Sequence, residues 1–223
     1  MSYDWSETRE VLASVAGEGL FEPQAEGRLW KTADESIVVE LPGLLPLPPP
    51  PRGLGALALE LDDEPGLHAL LLLRAGAAAL GLWDEDELLA HKTIKKYVVR
   101  GKGRAQPKHL KTRGKSRYGS RLRLQNAEAL LVEVSERIGQ WWQEFGPFDQ
   151  FLYAAPVRQW SELFQTKPPP PFERKELPRR VGIDVREPGH EELLRVRYLL
   201  GRGRILRARG GSPPDDDATL SGA

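Results

Sequence analysis

Three strand-like runs joined by short turns, one long amphipathic helix after them, and then a succession of strand, helix, strand and helix predict an α/β chain. The element order is that of a ribonuclease-H-like mixed sheet flanked by helices, with a small N-terminal extension. The 223 residues are enough for one such domain and an appendage. The expected division is an N-terminal helix and hairpin over residues 1–50 ending in a proline-rich linker, a main domain over 51–209, and a disordered acidic tail over 210–223.

In chain order, Trp5, Leu12 and Val15 recur at helical spacing within residues 4–16. Residues 28–31 and 36–41 read as a hairpin across a polar turn, stopped by Pro42 and Gly43. The proline run that follows favours polyproline II and reads as a semi-rigid spacer. Residues 54–61 read as a strand. Residues 68–74 and 77–83 form an antiparallel pair across the Arg74-Ala75-Gly76 turn, 84–87 an acidic turn, and 88–94 continued by 97–100 a third, bent strand. Residues 101–117 hold too many glycines and basic side chains to pack and read as a long exposed loop.

A helix is predicted over 120–145, because Ala127, Leu130, Leu131, Val134, Ile138, Trp141, Trp142 and Phe145 repeat at spacings of three and four. Gly146 and Pro147 end it. Then come a strand at 150–154, a helix at 157–164, a second proline run at 167–172, a strand at 180–185 and a helix at 191–200.

The formal net charge of zero conceals a segregation of charge. Between His91 and Arg123 stand thirteen basic residues and no Asp or Glu: Lys92, Lys95, Lys96, Arg100, Lys102, Arg104, Lys108, Lys111, Arg113, Lys115, Arg117, Arg121 and Arg123. Like charges at that density repel one another unless a polyanion compensates them. Nucleic acid is the natural partner, since Lys and Arg along an extended segment follow a phosphate backbone, and Gly101, Gly103, Gly114 and Gly119 permit close approach.

Other chemistry finds little support. The chain has no cysteine, which excludes disulfides, thiolate metal sites and a cysteine nucleophile. His68, His91, His109 and His190 show no ligand spacing, and the basic window holds no carboxylate pair, so neither a metal nor a cofactor is expected. The Gly-x-Gly at 101–103 lacks the rest of a phosphate-binding loop. The N-terminus is polar, and the apolar runs are too short to span a bilayer, so a soluble, cytoplasmic protein without a membrane partner is expected.

The runs HKTIKKYVVRGKGRAQ, KSRYGSRLRLQNAEALLVEVSERIGQW and RRVGIDVREPGHEELLRVRYLL resemble, in that order, the release-factor-like catalytic domain of the ankyrin-repeat and zinc-finger peptidyl-tRNA hydrolases of ribosome-associated quality control. That domain is itself similar to the middle domain of eukaryotic and archaeal class-1 release factors, and the resemblance covers roughly residues 68–207. It implies that Gln106 is the catalytic glutamine, carried by a loop of Gly101, Gly103, Arg104 and Ala105. Where the release factors have Gly-Gly-Gln, this chain has Arg104-Ala105-Gln106. The partners implied are the large ribosomal subunit and peptidyl-tRNA, and the reaction is release of nascent chains, by ester hydrolysis or by cleavage near the tRNA 3′ end. A non-catalytic RNA-binding factor stays open beside it.

Overall fold

The computed structural model describes residues 1–49, 53–62, 64–96 and 115–208. Its main sheet contains β5 (Leu67–Arg74), β6 (Ala77–Asp84), β7 (Glu87–Lys95), β8 (Gln150–Ala154) and β9 (Pro178–Arg180), which lie in the order β7-β6-β5-β8-β9. The first three form an antiparallel meander, while β8 runs parallel to β5, and β9 parallel to β8. This is the ribonuclease-H-like order expected. Gly76, at φ 87, supplies the left-handed residue that the tight turn between β5 and β6 requires.

Both faces of the sheet are buried, and strict alternation divides its side chains between them. Leu71, Leu73, Leu80, Leu82 and Ile94 pack against Leu130, Leu131, Val134, Ile138 and Trp141 of α3 (Lys115–Phe145) and against Trp160 and Leu163 of α4 (Val157–Leu163). Leu70, Leu72, Ala79 and Trp83 face the other way, toward Leu193, Val196 and Leu200 of α5 (His190–Leu200). The same cluster takes in Leu12 of α1 (Thr8–Val15) and Leu57 of α2 (Leu54–Glu60).

A second, wholly antiparallel sheet lies over that face. It contains β1 (Ser2–Asp4), β2 (Phe21–Gln24), β3 (Leu29–Thr32), β4 (Ile37–Glu40) and β10 (Arg202–Arg207), in the order β1-β10-β4-β3-β2. The expected hairpin is β3 and β4. Its partner strand β10 comes from the far end of the chain, so the N-terminal extension is drawn into the body of the molecule. The start of the proline-rich segment is pinned as well: Leu44 and Leu45 are fully buried, the Leu44 N–H donates to the Leu200 carbonyl at 2.8 Å, and Arg28 donates to the Pro42 and Leu45 carbonyls.

Several local expectations are corrected. Residues 54–61 form helix α2, since Leu54, Leu57, Ala58 and Leu61 follow helical spacing and α2 packs on α1. The helix expected over residues 4–16 is shorter, α1 at Thr8–Val15, and Asp4 pairs instead with β10 as the end of β1. The strand expected at 180–185 is β9 at Pro178–Arg180, beyond which the chain leaves the sheet. Helix α3 begins at Lys115, five residues before the predicted start, because Lys and Arg are good helix formers despite their charge. The continuation of the third strand over 97–100 and the tail over 210–223 lie outside the described residues.

A buried polar network joins the layers. His68 is fully buried with its ring stacked on Trp83, centroids 5.9 Å apart. Arg197 donates through Nε to His68 Nε2 at 2.9 Å and through Nη2 to the Glu85 carbonyl at 2.7 Å and to Asp86 Oδ1 at 3.2 Å. Because Nε2 accepts, the imidazole proton sits on Nδ1 and is donated to the Gly66 carbonyl, 2.7 Å away. Trp5 Nε1 donates to the same Asp86 oxygen at 3.2 Å, so one carboxylate ties the N-terminal segment to α5 and to the β6–β7 turn. Burial, with the Arg197 charge second, pushes His68 from its ordinary 6.5 down to about 4.

Two consequences can be measured. In the window between about 6.5 and about 4 the unfolded chain binds the His68 proton and the folded chain does not, so stability falls as pH drops through it. Urea unfolding should lose stability on the order of 3 kcal/mol from this group across that window, and His68→Gln should flatten the profile. At the β1–β10 pair, a Cβ on Gly203 would lie 2.2 Å from the Tyr3 ring, so Gly203→Val should cost about 2 kcal/mol or more. On exposed ground in α3, Gly139→Ala meets nothing within 4 Å and should gain up to about 1 kcal/mol. Equal stability of these two glycine variants in urea would contradict the packing described.

Candidate nucleic-acid interface

The cationic window is anchored on two elements. Its first residues lie on β7, an edge strand, where alternation sends Lys92, Ile94 and Lys96 toward α3 and His91 and Lys95 toward α5. Lys96 Nζ meets Glu133 of α3 at 2.8 Å, and Lys95 Nζ meets Glu187, just before α5, at 2.8 Å. His91 stacks on His190 with ring centroids 4.2 Å apart. Lys92 makes no ion pair among the described residues. Charged side chains along β7 also discourage pairing with another strand at that edge.

The window's last residues form the start of α3. The helix meets the sheet only from Leu130 onward: none of residues 121–129 is buried, and Leu122 and Leu124 are 39% and 69% exposed. Lys96, just past the end of β7, contacts α3 at Glu133. The turns before Leu130 therefore run beyond the sheet, roughly 22 Å of helix at 1.5 Å per residue. Arg121 and Arg123 lie on this projecting part, as does the backbone of Lys115 and Arg117. Gly101, Gly103, Arg104, Ala105 and Gln106, with Arg100, Lys102, Lys108, Lys111 and Arg113, lie outside the described residues.

Both anchors sit at the same end of the main sheet. The Lys96 N–H donates to the Gly76 carbonyl at 2.8 Å, which sets the end of β7 beside the β5–β6 turn. Strands β5, β8 and β9 are parallel and finish on that side, at Arg74, Ala154 and Arg180. A cleft of about 300 Å³ opens there, lined by Leu73, Arg74, Ala154, Pro156, Arg180 and Asp184, at the carboxyl ends of parallel strands where α/β sheets commonly bind ligands. Arg74 donates to Asp184 Oδ1 at 2.9 Å. Arg74 and Arg180 thus join the basic end of the molecule, although sequence reasoning did not single them out. The signal for them was the parallel pairing of β5, β8 and β9, which no local pattern reveals.

The segment between β9 and α5 is held rigidly against this end. Glu192, 8% exposed, accepts the Arg186 N–H at 2.7 Å and two bonds from Arg195, at 2.7 and 2.8 Å. The Arg195 guanidinium above all lowers the Glu192 carboxyl to about 2, so it stays ionised at every physiological pH. Arg195 also donates to the Asp184 carbonyl at 2.9 Å. Glu187, which holds Lys95, is thereby fixed to the helix. Among the described residues no three His, Cys, Asp or Glu side chains come together as a metal site, and no helix is long and apolar enough to cross a membrane.

Comparison with known proteins adds a family. A model described as bVLRF1, Bacteroidetes VLRF1 release factor, matches residues 68–207. No curated protein matches the chain. Among solved structures it is similar to one titled Vms1 mitochondrial localization core, with 14% identity and a TM-score of 0.50 over 91% of this chain and 82% of that one. At that identity the likeness concerns the fold.

The geometry separates the lysines by their partners. If this surface binds RNA, neutralising a side chain that makes no ion pair among the described residues removes a phosphate contact, so Lys92→Gln or Arg121→Gln should each reduce by about one the slope of log affinity for a structured RNA against log salt. Lys96→Gln should change the slope less, because its ammonium is already engaged by Glu133. Identical slopes for all three variants and the parent, measured by filter binding across a salt series, would contradict this interface.

Proposed function

The chain belongs to the Bacteroidetes VLRF1 release-factor family, and on that premise we propose that it is a ribosome-associated peptidyl-tRNA hydrolase that frees nascent chains from stalled large ribosomal subunits. The observation that carries this reading is the anchoring of the cationic window. The chain leaves β7 at Lys96 and re-enters α3 at Lys115, with both anchors at one end of the sheet and Gln106 in the sequence between them. Lys92, Arg121 and Arg123 would hold ribosomal and tRNA phosphates around that point. The resemblance to the ankyrin-repeat and zinc-finger peptidyl-tRNA hydrolases supports the same assignment.

The chemistry needs no metal and no titrating side chain. A peptidyl-tRNA ester is already activated, and Gln106 offers an amide donor and a carbonyl acceptor. It orients the attacking water against the ester carbonyl and stabilises the developing oxyanion in a site walled by RNA. Near the tRNA 3′ end the same amide would orient a ribose 2′-hydroxyl against the adjacent phosphate. Ala105 keeps the segment slim enough for an RNA active site, and Arg104 adds a cation where release factors carry glycine. That replacement is the observation favouring the second reading, a ribosome-bound factor without catalysis.

Gln106→Ala should lower single-turnover peptide release by about two orders of magnitude or more while leaving binding to large subunits intact. Gln106→Glu should be equally harmful, since it forces a negative charge among phosphates. Release is followed on purified subunits carrying peptidyl-tRNA, with the tRNA 3′ end analysed alongside the peptide. Undiminished release by Gln106→Ala would remove Gln106 from the reaction and leave the non-catalytic reading. Arg104→Gly should retain activity if Arg104 only replaces the loop glycine, and should lose affinity if it contacts phosphate.

A further inference from the structure

We propose that the arginine-lined cleft between the two sheets is a second RNA-binding surface, which takes a single-stranded stretch of phosphodiester backbone with a base stacked on Tyr198. The inference deepens the proposed function and rests on it for RNA as the class of partner. The cleft, about 550 Å³, is lined by Arg28, Arg179, Arg180, Arg202 and Arg204, with Glu40 as its one carboxylate among the described residues. Arg202 and Arg204 alternate with the buried Gly203 and Ile205 along β10 and so present their side chains on one face.

Arg202 and Arg204 each have an acidic partner, and among the described residues the charge available to a ligand is that of Arg179 and Arg180. Glu40 is taken up by Arg204, at 2.7 and 2.9 Å, and Asp4 lies 3.4 Å from Arg202. Among the described residues Arg179 donates to the Gly43 carbonyl and, at 3.3 Å, to the Gln150 amide oxygen. Burial draws the Arg179 guanidinium down to about 10, and no carboxylate opposes that effect. Arg180 is exposed, and its side chain makes no hydrogen bond or ion pair among the described residues. Like charges so gathered repel one another until an anion arrives.

The shape of the charge points to a strand rather than a single phosphate. Arg180 also lines the smaller cleft beside Arg74. The two clefts therefore meet at Arg180, and together they run from Arg74 at the end of β5 to Arg202 and Arg204 on β10. With strands about 4.8 Å apart, β5 and β9, which carry Arg74 and Arg180, stand roughly 10 Å apart across the sheet. Tyr198 is 61% exposed and carries the Arg202 guanidinium 5.7 Å from its ring centroid. An exposed ring beside a guanidinium offers a stacking platform to an unpaired base, a use that a merely acidic peptide would not have for it.

The test measures anisotropy of a labelled oligouridylate with the full chain across a salt series. Arg180→Glu combined with Tyr198→Ala should weaken binding by about tenfold or more and flatten the salt dependence, whereas Arg180→Lys should keep most of the affinity. Both side chains are exposed, and unchanged thermal melting verifies that the fold is intact. Parent-like RNA affinity of the double variant, alongside loss in Lys92→Gln and Arg121→Gln, would overturn the cleft and leave the proposed function standing. A parent that binds neither oligouridylate nor large subunits would overturn both. If polyglutamate binds in a manner abolished by the double variant while oligouridylate does not bind, the cleft is a peptide site and the RNA assignment fails.

Discussion

The Arg197 guanidinium holds the molecule together at the point where burying a charge is most costly. It is 8% exposed, on the last helix, between the two sheets. Withdrawing such an ion from water costs several kcal/mol unless its donors find acceptors. Here they meet a neutral imidazole, a backbone carbonyl and a carboxylate, on elements distant in sequence. Burial depresses the basicity of both Arg197 and His68, and the His68–Arg197 bond exists only while the histidine is neutral. Helix α5 thus sits at one fixed height against the main sheet, and β10, which follows it directly, enters the second sheet in a fixed register.

That register connects the architecture to function. The β10 strand closes the N-terminal strands into a sheet and, with the same residues, turns Arg202 and Arg204 outward. At the opposite side of α5, Glu192 secures residues 184–187, so Glu187 can hold Lys95 on the edge strand. Exposed pairs such as Lys95–Glu187 add little stability. Among the described residues Lys92 and Arg121 make no ion pair, and on the proposed function they are left to an external anion.

On the proposed function, a neutral chain with segregated charge would suit a factor that binds RNA without adhering to every polyanion. Basic residues concentrate along β7, the projecting start of α3 and the inter-sheet cleft, and acidic side chains cover much of the remainder, including Glu128, Glu133 and Glu136 along one side of α3. The salt dependence of binding then reports how many of the basic groups meet phosphate, and variants of individual side chains divide that total among the surfaces.

By itself the amino-acid sequence determined the fold class and the segregation of charge. Short apolar runs bounded by turn residues marked β5, β6 and β7, helical periodicity marked α3, and the unbalanced window from His91 to Arg123 marked a candidate polyanion surface, because each of these signals is local. The tertiary structure alone decided what depends on distant partners. Residues 54–61 fit two periodicities, and packing on α1 made them a helix. Strands β1 and β10 are too short and polar to announce themselves, and they exist because they pair with each other and β10 with β4. Arg180 gave no sign of belonging with the basic window, because only the parallel pairing of β9 with β8, and of β8 with β5, brings its strand end to the same side of the sheet. Long-range pairing and charge burial are properties of residues brought together by folding, and no window of neighbouring residues contains them.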